Sequence, residues 1–350
     1  MTIGILTRRY GYNMGSTLQA FAMSEMLASF GHKVEIINYD ETAAHFKWKI
    51  RPFLERLMYK LWIPPTGAKR NYLSHRISQE KKFNEFENKY IPLSKEKIRS
   101  KRQLTQISKK YNKIVIGSDQ IWNPFLYDPV FFGEFLPVSE RKKIIAYAPS
   151  LGVGNSEEIL TEQKSLINSL SFISCREEKG ADVLKEITGR KIPVVLDPTL
   201  MVNREIWDKI ADEHSVDGLP DDFIVTYFLG KDIHQMELDS LSIKYNAKII
   251  NISMFNKPNA INAFCHLKNL GPGEFLYLIK HAKYVATDSF HATIFSWIFQ
   301  TEFKTFMRFK LRDKESQNSR IETLLSLFEV KDKIIEAKKN SKDFLSLYLK

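Results

Sequence analysis

Residues 284–299 hold polar side chains in the arrangement that most clearly predicts chemistry. The segment begins as a short apolar strand at 284–286, passes through the polar turn Thr287-Asp288-Ser289 and becomes apolar and helical near His291. A helix that starts after a buried strand offers backbone N–H groups and the positive end of its dipole to an anion. Thr, Asp and Ser are all N-cap residue types. The pattern predicts an anion site beside His291, and the alternative is a capped core helix with a partly exposed histidine.

Two polar loops near the amino terminus also follow predicted strands. The strand at 2–6 leads to a helix at 16–30 through a loop without the G-x-G-x-x-G pattern or the P-loop lysine, so a dinucleotide or NTP site is poorly supported. The strand at 113–116 ends in a loop of small and polar residues, which is typical of a binding site. The candidate ligand-binding residues of the two loops are Asn13, Gly15, Ser16, Gln19, Asp119, Gln120 and Trp122. Alternatively, Gly15 supplies only a turn and Ser16 only a helix cap.

Arg176 stands where the predicted strand 172–174 passes into a helix predicted from Cys175 to Ile187. A guanidinium at such a junction can reach an anion at the carboxyl edge of a sheet. The alternative is a surface salt bridge with the adjacent carboxylates.

Strands and helices alternate along the whole chain, which predicts an α/β fold with parallel sheets. The rhythm begins again after about Val202. We therefore predict two doubly wound, Rossmann-like domains facing a cleft, with an acceptor-side domain at 1–200, a donor-side domain at 201–335 and a C-terminal helix at 336–350. The further predicted strands are 33–38, 144–148, 194–196, 223–228, 247–252 and 303–307. The further predicted helices are 204–212, 233–244, 273–282 and 319–328, the last opened by a capping box at 319–322.

Composition indicates a folded, soluble protein. The chain has 350 residues, of which 43% are hydrophobic and 27% charged, and only two cysteines, Cys175 and Cys265. These cysteines form no paired motif, so a reducing compartment is expected. The apolar run at 3–6 is too short for a signal peptide, and no run of about 18 apolar residues occurs. We therefore predict a cytoplasmic protein.

The net charge of +11 is concentrated in one region. Residues 40–113 hold 19 Lys and Arg against 7 Asp and Glu, whereas the rest of the chain holds 33 against 34. This region is predicted to be a helical insertion in the first domain, and its helix at 46–63 has an apolar stripe from Phe53 to Trp62. Such a helix can lie on an anionic bilayer, although packing on its own protein is commoner. A nucleic-acid binder would also be basic, but the sequence lacks a recognition signature such as that of an RRM.

Four segments, in this order, resemble the polysaccharide pyruvyl transferases. They are Asn13-Met14-Gly15-Ser16-Thr17-Leu18-Gln19-Ala20, Gly117-Ser118-Asp119-Gln120-Ile121-Trp122-Asn123, Asp288-Ser289-Phe290-His291 and Asn318-Ser319-Arg320-Ile321. Those enzymes move the enolpyruvyl unit of phosphoenolpyruvate onto a sugar and leave a pyruvate ketal. The resemblance extends from Thr2 to about Phe328 and implies a two-domain fold similar to GT-B glycosyltransferases.

The resemblance also implies roles for individual residues. It suggests His291, Arg176 and Lys310 as catalytic, with Arg308 and Arg312 as alternatives to Lys310, and Ser289, Phe290, Arg308 and Arg320 as donor-binding. Phosphoenolpyruvate is then a co-substrate, with no cofactor or metal, and the acceptor is a glycan or lipid-linked oligosaccharide at the cytoplasmic membrane face. The seven candidate residues of the two amino-terminal loops are then acceptor-binding, with Asp119 and Gln120 bonding sugar hydroxyls and Trp122 stacking on a sugar face. The alternative within this fold is a glycosyltransferase that uses a nucleotide sugar.

Overall fold

The computed structural model describes residues 1–9, 11–41, 67–253, 261–309 and 318–349. The helix predicted at 46–63, with its apolar stripe, lies outside these ranges. Among the helices within them, none is both long and apolar enough to cross a membrane.

The chain folds into two compact units, each with its own five-stranded sheet. Unit 1 comprises Met1–Ala44, Tyr90–Val202 and Phe309–Lys350, and unit 2 comprises His45–Lys89 and Asn203–Arg308. The division after Val202 lies two residues beyond the predicted boundary.

All strands of both sheets are parallel, as the alternation of strands and helices predicts. The strands of unit 1, in the spatial order β2-β1-β3-β4-β5, are β1 (Thr2–Leu6), β2 (Lys33–Ile36), β3 (Lys113–Ile116), β4 (Ile144–Ala146) and β5 (Phe172–Ile173). Those of unit 2, in the order β10-β9-β6-β7-β8, are β6 (Phe223–Tyr227), β7 (Lys248–Ile252), β8 (Cys265–Leu267), β9 (Tyr284–Thr287) and β10 (Glu302–Thr305).

Helices connect these strands. In chain order they are α1 (Met14–Ser29), α2 (Gly67–Tyr90), α3 (Lys101–Ile107), α4 (Thr161–Asn168), α5 (Glu178–Thr188), α6 (Arg204–Asp212), α7 (Gln235–Tyr245), α8 (Pro272–His281), α9 (Phe290–Phe299), α10 (Ser319–Phe328) and α11 (Lys331–Tyr348).

The central strands form the cores of the two units. Ile3 and Ile5 of β1 are fully buried, as is Val225 of β6. Strands covered on both faces read as continuous apolar runs, which is why their positions can be predicted from the sequence.

Each sheet has one point at which its strand order reverses. In unit 1 the chain leaves β1 for β2 on one side and then crosses to β3 on the other, and in unit 2 it reverses in the same way between β6 and β9. In open α/β sheets, ligands bind beyond the carboxyl ends of the strands at such a reversal.

Two segments group differently from the predicted domains. Residues 67–89, predicted to be part of the first domain, group with unit 2. Lys82 of α2 forms an ion pair with Glu274 at 2.6 Å, and Gln79 donates to the Leu270 carbonyl. These long-range contacts leave no periodic signal in the sequence.

The C-terminal helices belong to unit 1 instead of the second domain. In α11, Phe344 packs on Tyr147, Tyr348 packs on Phe172, and Ser341 accepts a hydrogen bond from the Leu196 backbone. The basic C-terminal helix therefore packs against the first sheet.

Three local predictions are wrong. Residues 194–196 form no strand, because Val194 makes only an isolated bridge with Cys175. The helix predicted from Cys175 begins at Glu178 as α5. The predicted capping box is absent, because Asn318 is the N-cap of α10 and its side-chain amide instead bonds the Phe309 backbone in both directions.

Candidate functional site

In unit 1, the loops after β1 and β3 meet beyond the carboxyl ends of these strands. The Ser16 hydroxyl donates to Asp119 Oδ2 at 2.7 Å and so joins the two loops. Asn13 caps α1, accepting from the Ser16 backbone at 3.2 Å, so the cap is not Ser16. Gly15 lies within the first turn of α1 and supplies no separate turn.

Gly117 directly follows β3, at a point where the backbone passes too close to the Tyr147 backbone to leave room for a side chain. Its φ is +142°, and a methyl group at this position would overlap the carbonyl oxygen of Tyr147. The loop then turns through Asp119, whose φ of +63° lies in the left-handed region that Asp tolerates better than most residues. The backbone thus sets the direction of the Asp119 carboxylate.

Arg176 lies between β5 and α5 and is surrounded by carboxylates. Its side chain is only 2% exposed, with Nη1 donating to Asp197 Oδ2 at 2.7 Å. Nη2 lies 3.5 Å from Asp119 Oδ1, and Nε lies 3.9 Å from Glu177 Oε2. The predicted alternative of a surface salt bridge is wrong, because the group is buried and its shortest ion-pair contact is to Asp197, which is not an adjacent residue.

The electrostatics of this group, which we call the Arg176 cluster (Asp119, Arg176, Glu177 and Asp197), favour a charged guanidinium. Burial lowers the pKa of Arg176, but the charges of Asp197, Asp119 and Glu177 outweigh burial and raise it. Asp197 also accepts from the Thr199 backbone and hydroxyl through Oδ1. Ser150 and the Leu151 backbone both donate to Glu177 Oε1. Arg176 therefore holds Asp119 within a fixed polar network.

Gln19, predicted to bind an acceptor, is a buried structural residue. Its amide nitrogen donates to the Thr7 hydroxyl at 2.8 Å and the Ser16 carbonyl at 3.0 Å. Its amide oxygen accepts from the Ser118 backbone. The residue is 0% exposed, and both ends of its amide are engaged within the protein. Gln19 joins α1 to the loop after β3.

Trp122 does not face a ligand, contrary to the prediction that it stacks on a sugar. It is 0% exposed, stacks on Phe132 with ring centroids 5.4 Å apart, and donates from Nε1 to the Phe131 carbonyl at 2.9 Å. The indole is part of the core of unit 1.

Replacing Trp122 by Phe is therefore expected to lower stability and leave acceptor affinity unchanged. The variant keeps an aromatic ring but leaves the buried Phe131 carbonyl without its donor, a loss of about 1–2 kcal/mol. Urea denaturation measures the first effect, and acceptor KM measures the second. An increased acceptor KM with unchanged stability would instead support a ligand-facing indole.

In unit 2, the turn between β9 and α9 is fixed by its three polar side chains. Thr287 donates to the Tyr227 carbonyl at 2.5 Å and accepts from the Ser289 backbone at 3.0 Å. Asp288 accepts from the backbones of Leu229 and Gly230, each at 2.6 Å. Ser289 is the N-cap of α9. The turn is thereby tied to the neighbouring strand β6.

Arg308 and Gly230 contact Asp288 of this turn. Arg308 Nη2 donates to the Asp288 carbonyl at 2.9 Å, and its Nε lies 3.3 Å from Asp288 Oδ2. A methyl group on Gly230 would lie 2.7 Å from Asp288 Oδ2 and 3.0 Å from Arg308 Cγ. Only glycine allows the carboxylate to approach the backbone this closely.

His291 is the second residue of α9 and is 7% exposed. The neighbouring ring of Phe290 meets it edge-on at a centroid distance of 5.2 Å. The structure therefore brings four predicted residues, Ser289, Phe290, His291 and Arg308, to the reversal point of the second sheet, at the positive end of α9.

Four predicted residues remain, namely Lys310, Arg312, Arg320 and Gln120. Lys310 and Arg312 are outside the described residues. Arg320, predicted to bind the donor, is a buried residue of α10, which groups with unit 1 although its position falls within the predicted donor-side domain at 201–335. Gln120 is half-buried in the loop after β3.

No role was predicted for three residues that support the site, Arg8, Asn123 and Asp197. The capping role of Asp197 could have been predicted from the sequence, because Asp-Pro-Thr after an apolar run is typical of a capped turn. Asp197 is the N-cap of the 3-10 helix Pro198–Leu200. Within the described ranges, no group of three or more His, Cys, Asp or Glu side chains is placed to hold a metal ion.

Comparisons with known proteins relate this geometry to one family. Residues 13–303 match the family model described as polysaccharide pyruvyl transferase. Among curated proteins, none matches the chain. The solved structure of UDP-GlcNAc 2-epimerase from Neisseria meningitidis bound to UDP-GlcNAc is similar in fold, at 10% identity and a TM-score of 0.50, over 100% of this chain and 99% of that one.

A second solved structure, UDP-GlcNAc 2-epimerase from Methanocaldococcus jannaschii, has 14% identity and a TM-score of 0.45 over 100% of both chains. The likeness to the Neisseria structure concerns the fold alone. It confirms the predicted fold class of two parallel α/β sheets of the GT-B type.

Proposed function

The chain belongs to the polysaccharide pyruvyl transferase family, and we propose that it transfers the enolpyruvyl group of phosphoenolpyruvate to a sugar of a surface polysaccharide or its lipid-linked precursor. The observation that carries this proposal is the family match over residues 13–303, which includes the loop after β3 and the turn between β9 and α9.

The reaction makes clear demands on the protein. Two sugar hydroxyls attack the same carbon of phosphoenolpyruvate, forming two C–O bonds, while the bond from that carbon to the phosphate oxygen breaks. One hydroxyl proton ends on the methylene carbon, which becomes a methyl group, and the other leaves with phosphate. The site therefore needs an acid, a base and groups that bind anions.

We place the donor against unit 2. The α9 N-terminus and the Arg308 guanidinium supply positive charge for the phosphate or carboxylate, and Ser289 and Phe290 border them. His291, in the first turn of α9, is positioned to hold or transfer a proton beside the phosphate. Lys310 stays a proposed catalytic residue on the resemblance alone.

We place the acceptor against unit 1. Asp119 is fixed by Ser16 and Arg176, and its side chain remains 15% exposed. A carboxylate with restricted rotation is suited to accept a hydrogen bond or a proton from a sugar hydroxyl. Gln120, on the same loop, offers an amide for a second hydroxyl. Arg176 is proposed to fix this arrangement.

The experiment that tests the function is direct. The protein is incubated with phosphoenolpyruvate and a panel of lipid-linked and nitrophenyl glycosides, and phosphate release and product mass are measured. A mass increase of one pyruvate ketal supports the proposal. In a parallel incubation with a UDP-sugar, release of the nucleotide without any reaction of phosphoenolpyruvate would instead indicate a glycosyltransferase.

We further propose that the protein acts at the cytoplasmic face of a membrane. Seven exposed cations occur between positions 95 and 110, and three of them, Lys95, Arg102 and Lys109, have no ion-pair partner among the described residues. Cations near an anionic surface contribute about 1 kcal/mol each.

Retention on phosphatidylserine vesicles at low salt is therefore expected, and it should fall as salt is added. Replacing Lys95, Arg102 and Lys109 together by Glu should weaken retention further. Wild-type protein that ignores these vesicles at low salt would contradict the membrane proposal without affecting the proposed transferase activity.

A further inference from the structure

Phe125 follows the loop after β3 and is 58% exposed. Within the described ranges, the only other exposed phenylalanine is Phe264 of unit 2, at 59%. Single exposed apolar side chains are common on protein surfaces and need no functional explanation. What distinguishes Phe125 is how firmly its backbone is held and which side chains share its loop.

Asn123 stabilises the amino-terminal side of the turn that carries Phe125. Residues Pro124–Leu126 form a single 3-10 turn, for which Asn123 is the N-cap. Asn123 Oδ1 accepts from the Phe125 backbone at 2.9 Å, and its carbonyl accepts from the Leu126 backbone at 3.0 Å. Asn123 itself is only 2% exposed. Pro124 fixes one further backbone angle.

A partly buried ion pair between Arg8 and Glu41 holds the other side of the same turn. Arg8 Nη2 donates to the Leu126 carbonyl at 3.0 Å, while its Nε bonds Glu41 Oε2 at 2.8 Å. Glu41 is 1% exposed, and the Arg8 guanidinium lies over the ring of Phe131 at 5.1 Å. The side chain of Phe125 is thus exposed on a backbone anchored at both ends.

The same loop carries the polar groups of the proposed acceptor site. Gly152 packs against the loop, since a methyl group there would lie 2.7 Å from Asn123 Nδ2 and 2.8 Å from Gln120 Nε2. Gln120 and the anchor of Phe125 therefore lie side by side. Asp119 precedes Gln120 directly.

We propose that Phe125 is the aromatic surface on which a pyranose ring of the acceptor stacks, an inference that rests on the proposed function. A pyranose presents an apolar face of C–H groups and an edge of hydroxyls. Binding sites for such ligands combine an apolar surface with a few fixed polar groups. A rigid aromatic ring supplies contact area at low entropic cost, and Asp119 and Gln120 supply the polar groups. Phe125 thus takes the stacking role that was predicted for Trp122.

The test compares Phe125→Ala with Phe264→Ala, a control matched in residue type and exposure but located in unit 2. Phe125→Ala is expected to raise acceptor KM about tenfold, the usual scale for a truncated aromatic contact, with KM for phosphoenolpyruvate unchanged. Phe125→Trp should keep acceptor KM near the wild-type value, and Phe264→Ala should change neither constant.

A second measurement separates this inference from the proposed function. Neutral nitrophenyl glycosides are titrated by calorimetry without phosphoenolpyruvate, so that binding is measured whether or not the protein turns over. Weaker binding to Phe125→Ala than to Phe264→Ala supports the stacking role even if no pyruvyl transfer occurs. Three results would overturn it. Phe125→Ala and Phe264→Ala could bind the glycosides equally well, or Phe125→Ala and Phe125→Trp could lose the same affinity. The third is that the wild-type protein binds no glycoside.

Discussion

Replacing His291 by alanine is expected to abolish pyruvyl transfer while leaving the fold intact. His291 sits in the first turn of α9, at the reversal point of the second sheet, beside the N-cap Ser289 and near the turn held by Arg308. A positioned acid or base contributes about 10²–10⁴-fold to a rate. Alanine keeps the helix but removes the one titratable side chain of residues 290–293, so kcat should fall by this factor.

The measurement is the rate of phosphate release from phosphoenolpyruvate at saturating acceptor, with product mass as confirmation. His281→Ala is the control, because His281 is exposed at the end of α8, where its ring packs on Tyr277 and its Nδ1 lies 2.9 Å from the Tyr277 carbonyl oxygen. Circular dichroism should show both variants folded. Near-normal turnover by His291→Ala would remove this residue from the proposed mechanism.

The strands and helices were largely predictable because their signal is local. Apolar runs at 2–6 and 113–116 are strands because central strands of parallel sheets are buried on both faces. The bounds of α6 agree with the predicted helix at 204–212. In contrast, β8 was missed, since its three half-buried residues form no apolar run and are held by pairing with β7.

Side-chain directions in the loops could not be predicted in the same way. Trp122 and Asp119 are three residues apart on one polar loop, and their types suit a sugar equally well. The direction of Trp122 is decided by Phe131 and Phe132, which lie further along the chain and cover the indole. The Gln19 amide is likewise occupied by hydrogen bonds within the protein, one of them from the Ser118 backbone, which is 99 positions away in the sequence. Such contacts are tertiary, so residue type alone does not reveal them.

Arg176 shows the same limit and carries the second large expected effect. Its position between strand and helix was predicted, but its partners Asp197 and Asp119 are distant in sequence. Arg176→Ala would leave these carboxylates and Glu177 without their common cation in a buried site. Removing one partner of a buried ion pair is strongly destabilising, by about 3–5 kcal/mol. The free energy of unfolding, measured in urea, should fall by this amount.

Arg141→Ala is the matched control for Arg176→Ala. Arg141 is also a buried arginine of unit 1, at 8% exposure, but it donates to the Leu136 carbonyl and the Ser169 hydroxyl and, within the part of the chain that the structure describes, pairs with no carboxylate. Its removal leaves neutral acceptors, which should cost about 1–3 kcal/mol.

Arg176→Lys should lie between wild type and Arg176→Ala in stability, because it keeps the charge but loses the planar fork. If Asp119 depends on that fork, Arg176→Lys should also lower kcat/KM by about tenfold or more. Equal destabilisation by Arg176→Ala and Arg141→Ala would show that the three carboxylates do not need this guanidinium.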